Sequence, residues 1–180
     1  MSRIDAVDPQ TALADVKPLL DAVQKGMGVL PNMFRVAARA PAALEALVAL
    51  FGATGKGRLD ARTREAVALA VSESNGCDYC LSAHTLLGKR AGLGEGALLE
   101  ARLARSDDAR LAALLELTRA IVDHRGRVAA SALDQARSAG VTDSEIVELV
   151  ANVALTTFTN YLNEVAGTEI DFPIVRHRAR

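Results

Sequence analysis

The sequence contains no tryptophan, and aromatic residues make up only 3% of its 180 positions. Half of the residues are nevertheless hydrophobic. A core with so few aromatic rings has to be built mainly from alanine, leucine and valine, which favours closely packed helices. Strand signals are nearly absent as well, because β-branched residues never alternate with polar residues over a useful length. We therefore predict an all-α fold in a single domain.

The chain also lacks a strong excess of charge of either sign. Its formal net charge is -1 with a pI near 6.3, and acidic and basic residues are mixed along the sequence. Such a chain has no strong field to attract phosphates or an acidic membrane surface. We expect no nucleic-acid partner and no membrane partner. The basic segment from Arg176 to Arg180 is expected to be solvated rather than docked.

Long hydrophobic runs are missing too. Residues 1–10 mix charges with Pro9 and contain no apolar core of signal-peptide length, and no later segment approaches about 18 uncharged apolar residues. We therefore expect a cytoplasmic location. In that reducing compartment the two cysteines stay as thiols between reactions, which argues for redox chemistry or metal binding rather than a structural disulfide.

Proline, glycine and capping residues divide the chain into helices. An N-terminal arm at about 1–16 and a C-terminal tail at about 168–180 flank them in the single domain 1–180. The run from Ala66 to Val71 is apolar on every side, so its helix should lie in the middle of the fold. The predicted helices span about 18–26, 32–40, 41–54, 61–74, 77–91, 95–105, 109–124, 131–139 and 143–166, the last with a break near 156–160.

The residues suited to chemistry are concentrated in one CxxC pair, Cys77 and Cys80, followed by His84. On a helix, positions 77, 80, 84, 87 and 91 form one stripe, and its apolar members indicate that it faces inward. Two intervening residues let the sulfurs form a disulfide at a helix N-terminus. The helix dipole favours a thiolate at Cys77, whereas His84 can exchange a proton with Cys80, so both thiols have a route to activation.

Two acidic residues are candidates to act on His84. If the helices on either side of the turn at 75–76 are antiparallel, Glu65 lies within about two residues, or roughly 3 Å of helical rise, of the level of His84. A carboxylate there fixes the imidazole tautomer and receives a proton through it, directly or by way of a water. Glu73 is the competing acid, because the same construction places it near both cysteines.

These residues resemble a known family. The spacing of Glu65, the cysteine pair and His84 is similar to the core of alkylhydroperoxidase D and of the wider carboxymuconolactone decarboxylase-like group. The segment 72–85, together with 30–35, 160–163 and 171–173, resembles the peroxidase-related branch of that group and extends the likeness over most of the chain. The resemblance implies an all-helical bundle of the alkylhydroperoxidase D type that forms homo-oligomers and reduces hydroperoxides.

The resemblance also implies a role for each site residue. Cys80 attacks the peroxide and Cys77 resolves the resulting sulfenic acid. His84 relays the proton, and Glu65 is the base. The substrate is hydrogen peroxide or an organic hydroperoxide, an external dithiol reduces the disulfide, and no bound cofactor is required.

One position departs from the family pattern. Alkylhydroperoxidase D carries a second histidine between its cysteines, and this chain has Tyr79 there. The phenol is a candidate for the missing hydrogen bond to the active thiol, so Tyr79, like Glu73, is a possible pocket residue. The decarboxylases of the group lack the CxxC pair, and its presence here argues against lactone decarboxylation.

Two other functions use the same residues. A redox sensor or disulfide-exchange protein would oxidise the cysteine pair without peroxide turnover. A metal-binding protein would use Cys77, Cys80 and His84 as ligands, although structural zinc sites usually have four.

Overall fold

The computed structural model describes residues 2–178, in which all regular secondary structure is helical. The predicted all-α fold is therefore confirmed. Met1, Ala179 and Arg180, which belong to the predicted arm and tail, lie outside the described residues. In chain order the helices are α1 (Lys17–Met27), α2 (Asn32–Ala37), α3 (Pro41–Thr54), α4 (Ala61–Asn75), α5 (Asp78–Arg90), α6 (Glu95–Arg102), α7 (Ala109–Asp123), α8 (Ala130–Ser138) and α9 (Asp143–Ala166).

The turn between α4 and α5 places the cysteines at the start of a helix. Gly76 ends α4 in the left-handed conformation, with φ of 69°, which costs other residues about 1–2 kcal/mol. Cys77 is the N-cap of α5, and its sulfur accepts a hydrogen bond from the backbone N–H of Cys80 at 3.4 Å. The two helices therefore form a hairpin joined by a minimal turn.

The last helix differs from the prediction. A break near 156–160 is expected from the sequence, but α9 is continuous over 24 residues. Thr156 and Thr159 donate their hydroxyls to carbonyl groups of the preceding turn of α9, each at 2.9 Å. Asn160 donates its side-chain amide to Ser72 Oγ on α4 at 3.2 Å. Because these polar groups find partners without leaving helical geometry, they do not interrupt the helix.

Two shorter helices end three residues before their predicted ends, α2 at Ala37 and α6 at Arg102. Beyond α2, Arg39 N and Ala40 N bond to carbonyls only three residues back, the tighter pattern that closes many helices. Beyond α6, Ala104 takes a left-handed conformation with φ of 55°. The periodicity of the sequence does not predict either of these early helix ends.

α4 is the central helix, as its apolar run predicts. It packs against α5, α6, α7 and α9, and every residue from Ala66 to Val71 is buried. Burying one leucine or valine side chain contributes about 1.5–3 kcal/mol, so the aliphatic core stabilises the bundle without large aromatic rings. A second buried cluster, formed with residues of α1, α2 and α3, includes both cysteines.

Helix α6 packs closely against α5 at Gly88. A Cβ atom at this position would lie 2.7 Å from Leu98 Cδ2 of α6, but 3.7 Å, an ordinary contact distance, from the Cβ of Glu65 on α4. Real Cβ contacts are not as short as 2.7 Å, so any larger residue would displace the Leu98 side chain. Glycine therefore permits the observed packing of α6 on α5.

The basic residues 176–178 of the tail are exposed to solvent, as expected, and they also have partners within the fold. Asp78 binds Arg176 Nη1 at 2.7 Å, and it binds both the backbone N–H and Nδ1 of His177 at 2.8 Å. Ser82 Oγ accepts the backbone N–H of Val175 at 2.9 Å. The acidic side chain in the first turn of α5 thus gives Arg176 and His177 a partner that a composition argument does not reveal.

α9 exposes a row of apolar side chains along one face, namely Val147, Val150, Tyr161 and Val165. Their spacing of three to four residues, or multiples of it, is that of a single helical face. The expected homo-oligomer stays a prediction, and this face is where a second copy would bury apolar area. Between residues 2 and 178, no helix combines the length and apolar character needed to cross a bilayer.

Candidate functional site

The α4–α5 hairpin brings Glu65 and His84 into direct contact. Glu65 Oε2 lies 2.7 Å from His84 Nδ1, and the two side chains are only 20% and 14% exposed, respectively. The carboxylate therefore holds the imidazole in a defined orientation, and the other ring nitrogen is free to point elsewhere. Of the two candidate acids, Glu65 is the one that the structure places beside the histidine.

Glu73 lies elsewhere, although it belongs to the same helix. Its Oε2 accepts from Arg102 Nε at 2.6 Å, and its Oε1 accepts from the backbone N–H of Arg178 at 2.8 Å. These contacts fasten α6 and the tail to α4. Position along a hairpin determines the level of a residue but not the direction of its side chain, which explains why Glu73 does not join Glu65.

Both cysteines are buried and are not joined by a disulfide: Cys77 is 0% and Cys80 is 2% exposed. The sulfur of Cys80 contacts two α9 side chains that the sequence did not nominate. Asn163 Nδ2 donates to Cys80 Sγ at 3.3 Å, and Thr159 Oγ1 lies 3.9 Å from the same atom. The segment 160–163 is part of the family resemblance, which is the signal that could have drawn attention to Asn163.

The two thiols differ strongly in acidity. A hydrogen bond from the Cys77 thiol, aided by the charge of His84 and the amide of Asn163, outweighs burial and lowers the pKa of Cys80 to about 6. The same hydrogen bond, together with burial, raises the pKa of Cys77 well above its usual range. At neutral pH the arrangement therefore favours a thiolate on Cys80 and a protonated Cys77.

The pKa of His84 shifts in the direction opposite to that of a buried histidine without charged neighbours. Burial alone disfavours its charged form, but the Glu65 carboxylate and the neighbouring Cys80 outweigh burial and raise the pKa of His84. The imidazolium and the Cys80 thiolate thus stabilise each other. This gives the site a nucleophile and a proton donor at the same pH.

Tyr79 is not the replacement for the family's second histidine. Its hydroxyl donates to Asp171 Oδ1 at 2.8 Å and accepts the backbone N–H of Met33 at 3.1 Å. Its ring packs edge-on against Phe172, with centroids 5.5 Å apart. The phenol therefore ties α5 to α2 and to the tail segment, and the hydrogen bond to the active thiol comes from Asn163 instead.

The variant Tyr79→Phe is expected to destabilise the protein by about 1–3 kcal/mol, because it leaves the buried Met33 N–H without its partner. Urea unfolding followed by circular dichroism measures the loss. The rate at which Cys80 is alkylated should keep its dependence on pH, since the phenol does not contact the sulfur. A shifted alkylation profile would instead show that the phenol tunes the thiol.

A cavity of about 350 Å³ leads to the Glu65–His84 pair. Thr159 lines this cavity and also lies 3.9 Å from Cys80 Sγ, so the Thr159 side chain stands between the cavity and the buried sulfur. The volume lies in the range of small-molecule sites. The other walls are largely apolar and come from four helices: Val23, Met27, Phe34, Val48, Phe51 and Leu155.

A metal site is the alternative use of the cysteines and the histidine. In the part of the chain that the structure describes, no group of three or more His, Cys, Asp or Glu side chains is arranged to hold a metal ion.

The carboxymuconolactone decarboxylase family has a sequence model that matches residues 41–123. The matched range contains Glu65, both cysteines and His84. This segment of the chain is therefore similar to that family. The resemblance drawn from the sequence is thereby confirmed.

An uncharacterized protein of Haemophilus influenzae is 39% identical over 71 residues, which are 39% of this chain and 58% of that protein. The match thus spans little more than half the length of that relative.

Solved structures share the fold over nearly the whole chain. An uncharacterized peroxidase-related protein from Ralstonia eutropha JMP134, described as an alkylhydroperoxidase AhpD core, has a TM-score of 0.85 at 22% identity, covering 94% of this chain and 92% of that chain. A peroxidase-related protein from Silicibacter sp. TM1040 has a TM-score of 0.78 at 23% identity, covering 92% and 91%. The predicted bundle of the alkylhydroperoxidase D type is confirmed.

A third neighbour shows that this fold hosts more than one activity. The debrominase Bmp8 in complex with 2,3,4-tribromopyrrole has a TM-score of 0.78 at 18% identity, covering 93% of this chain and 91% of that chain. Such identities establish a common architecture, and the activity has to be argued from the site itself.

Proposed function

We propose that the chain is a thiol-dependent peroxidase that reduces hydrogen peroxide or an organic hydroperoxide. The observation that carries the proposal is a buried Cys80 with a lowered pKa, which contacts Thr159 in the wall of a cavity that also holds the Glu65–His84 pair. A thiolate, a proton donor and a carboxylate that orients the donor are the groups that cleavage of a peroxide bond requires.

The first step is attack of the Cys80 thiolate on the terminal oxygen of the hydroperoxide. An S–O bond forms, the O–O bond breaks, and the sulfur becomes a sulfenic acid. The departing alkoxide, or hydroxide from hydrogen peroxide, takes a proton from the His84 imidazolium and leaves as an alcohol or water. Glu65 holds the imidazole in place and stabilises its charged form.

The second step is resolution by Cys77. Its thiol attacks the sulfur of the sulfenic acid, an S–S bond forms, and water departs. The position of Cys77 supports this step, because its sulfur accepts the backbone N–H of Cys80 at 3.4 Å and both cysteines lie at the start of α5. An external dithiol then reduces the disulfide by exchange, and the cycle needs no bound cofactor.

The cavity suits an organic hydroperoxide. Its apolar walls would bury a hydrocarbon group, while His84 and Thr159 contribute polar atoms to the lining. Burial of apolar area contributes about 25 cal/mol for each Å², so an organic peroxide gains affinity that hydrogen peroxide does not.

An anaerobic thiol titration tests the proposal. One equivalent of cumene hydroperoxide should remove two thiols per chain without intermolecular crosslinks, and added dithiothreitol should sustain peroxide consumption. Unchanged thiols would refute the proposal. Oxidation of the pair without turnover would identify a redox sensor or disulfide-exchange protein, and one bound zinc per chain in elemental analysis would identify a metal site.

The assembly, the reductant and the location belong to the proposal as well. We infer a homo-oligomer in which the exposed apolar face of α9 is covered by another copy, and a cytoplasmic protein recycled by a dithiol. Analytical ultracentrifugation tests the first inference, because a monomeric mass at micromolar concentration would contradict it.

A further inference from the structure

Asn163 presents two different hydrogen-bonding atoms at the reactive sulfur. The side chain is 3% exposed, and its Nδ2 donates to Cys80 Sγ at 3.3 Å. Its Oδ1 is buried too, and it accepts a hydrogen bond from none of the residues in the described range 2–178. Because both atoms belong to one planar amide group, the unpaired oxygen is held close to the nitrogen that contacts the sulfur.

Buried acceptors are nearly always paired, so an unpaired one in a reactive site points to a donor that appears during the reaction. The Cys80 thiolate has no proton to offer. Peroxide reduction places an O–H group on that same sulfur. A sulfenic acid therefore supplies the donor that the resting site lacks.

Two other polar side chains of α9 lie near Cys80. Asn160 accepts from Asn75 Nδ2 at 2.8 Å and donates to Ser72 Oγ at 3.2 Å, so its oxygen already has a donor. Thr159 donates its hydroxyl to the carbonyl of Thr156, and its oxygen accepts from the Cys80 thiol at 3.9 Å, farther from the sulfur than Asn163 Nδ2 at 3.3 Å. The Oδ1 of Asn163 differs from both oxygens, because it is buried without a donor among the described residues.

We propose that Asn163 is a positioning residue for the oxidised state: its Nδ2 holds the Cys80 thiolate before the reaction, and its Oδ1 accepts the O–H of the Cys80 sulfenic acid after it. The inference rests on the proposed peroxidase function. Asn163 and Cys77 reach the sulfur from different helices, α9 and the start of α5. A hydroxyl held by Asn163 therefore leaves the sulfur accessible to Cys77.

The test uses the full chain with Cys77→Ser, in which the sulfenic acid cannot be resolved. Hydrogen peroxide is added, and dimedone followed by mass spectrometry measures how long the sulfenic acid survives. Adding Asn163→Ala should shorten this lifetime about tenfold, the effect of losing one hydrogen bond, and sulfinic acid should accumulate as the sulfur is oxidised further. The near-isosteric Asn163→Leu replaces the alanine variant if that one does not fold.

Asn163→Asp separates the two halves of the inference. The carboxylate keeps an acceptor but loses the N–H donor, so alkylation of Cys80 should require a higher pH and first oxidation should slow. The sulfenic acid, once formed, should survive as long as it does with Cys77→Ser alone. If Asn163 had only a structural role, Asn163→Asp would not slow the formation of the sulfenic acid while leaving its lifetime unchanged.

Thr118→Val is the matched control, because it removes a buried hydroxyl that bonds only within α7, to the carbonyl of Leu114. It should lower stability without changing the lifetime. An unchanged lifetime in both Asn163→Ala and Asn163→Leu would overturn the inference while the unaltered chain still turns over peroxide. Failure of the unaltered chain to lose thiols with peroxide would instead refute the peroxidase function itself.

Discussion

Replacing Cys80 by serine is expected to reduce peroxide turnover by at least about a thousandfold, because a serine hydroxyl stays protonated where the thiol is ionised. The lowered pKa of Cys80, about 6, depends on contacts made by sulfur with Cys77, His84 and Asn163. Steady-state consumption of cumene hydroperoxide with dithiothreitol as the donor measures the loss.

Cys77→Ser is the matched variant, since it removes a buried thiol from the same turn. It should permit one oxidation of Cys80 and then stop, because no second sulfur is present to release the sulfenic acid. A burst of one equivalent of alcohol per chain is the expected signal. If the burst appeared with Cys80→Ser and not with Cys77→Ser, the two roles would have to be exchanged.

Glu65→Gln is expected to slow turnover at pH 7 about a hundredfold, within the range that proton transfer contributes. Without the carboxylate, the pKa of His84 falls, because Glu65 is what offsets its burial. Less imidazolium then faces the thiolate, so the pKa of Cys80 rises from about 6. Alkylation of Cys80 by iodoacetamide across a range of pH should therefore reach its half-maximal rate at a higher pH than in the unaltered protein.

The control for this prediction is Glu73→Gln, which neutralises an acid on the same helix. Because Glu73 binds Arg102 and the tail, its loss should lower the free energy of unfolding while leaving the thiol acidity unchanged. A large loss of turnover in Glu73→Gln, with normal turnover in Glu65→Gln, would contradict the assignment of Glu65 as the acid that acts on His84.

The part of the site that lies on α4 and α5 could be predicted from local helix geometry. The cysteines and His84 share one helix, and Glu65 belongs to the helix before it, so a short turn and the helical rise were enough to pair Glu65 with His84. The same reasoning did not distinguish Glu65 from Glu73, since the level along a hairpin says nothing about which face of the helix a side chain occupies.

The other half depends on contacts between residues far apart in the sequence. Asn163 and Thr159 reach Cys80 from 83 and 79 positions away, and no periodicity within α9 reveals which helix its buried polar residues meet. Those residues instead suggested a break in the helix. The contacts of the tail could not be predicted for the same reason, because Asp78 lies 98 positions before Arg176.

Gly88 gives the bundle a property that belongs to no reacting group. A methyl group there would push against Leu98 of α6 but would make only an ordinary contact with the Cβ of Glu65. The approach of α6 to α5 is thus limited by the width of a backbone. Natural or engineered variation at this position would loosen the packing of α6 while leaving every chemical participant in place.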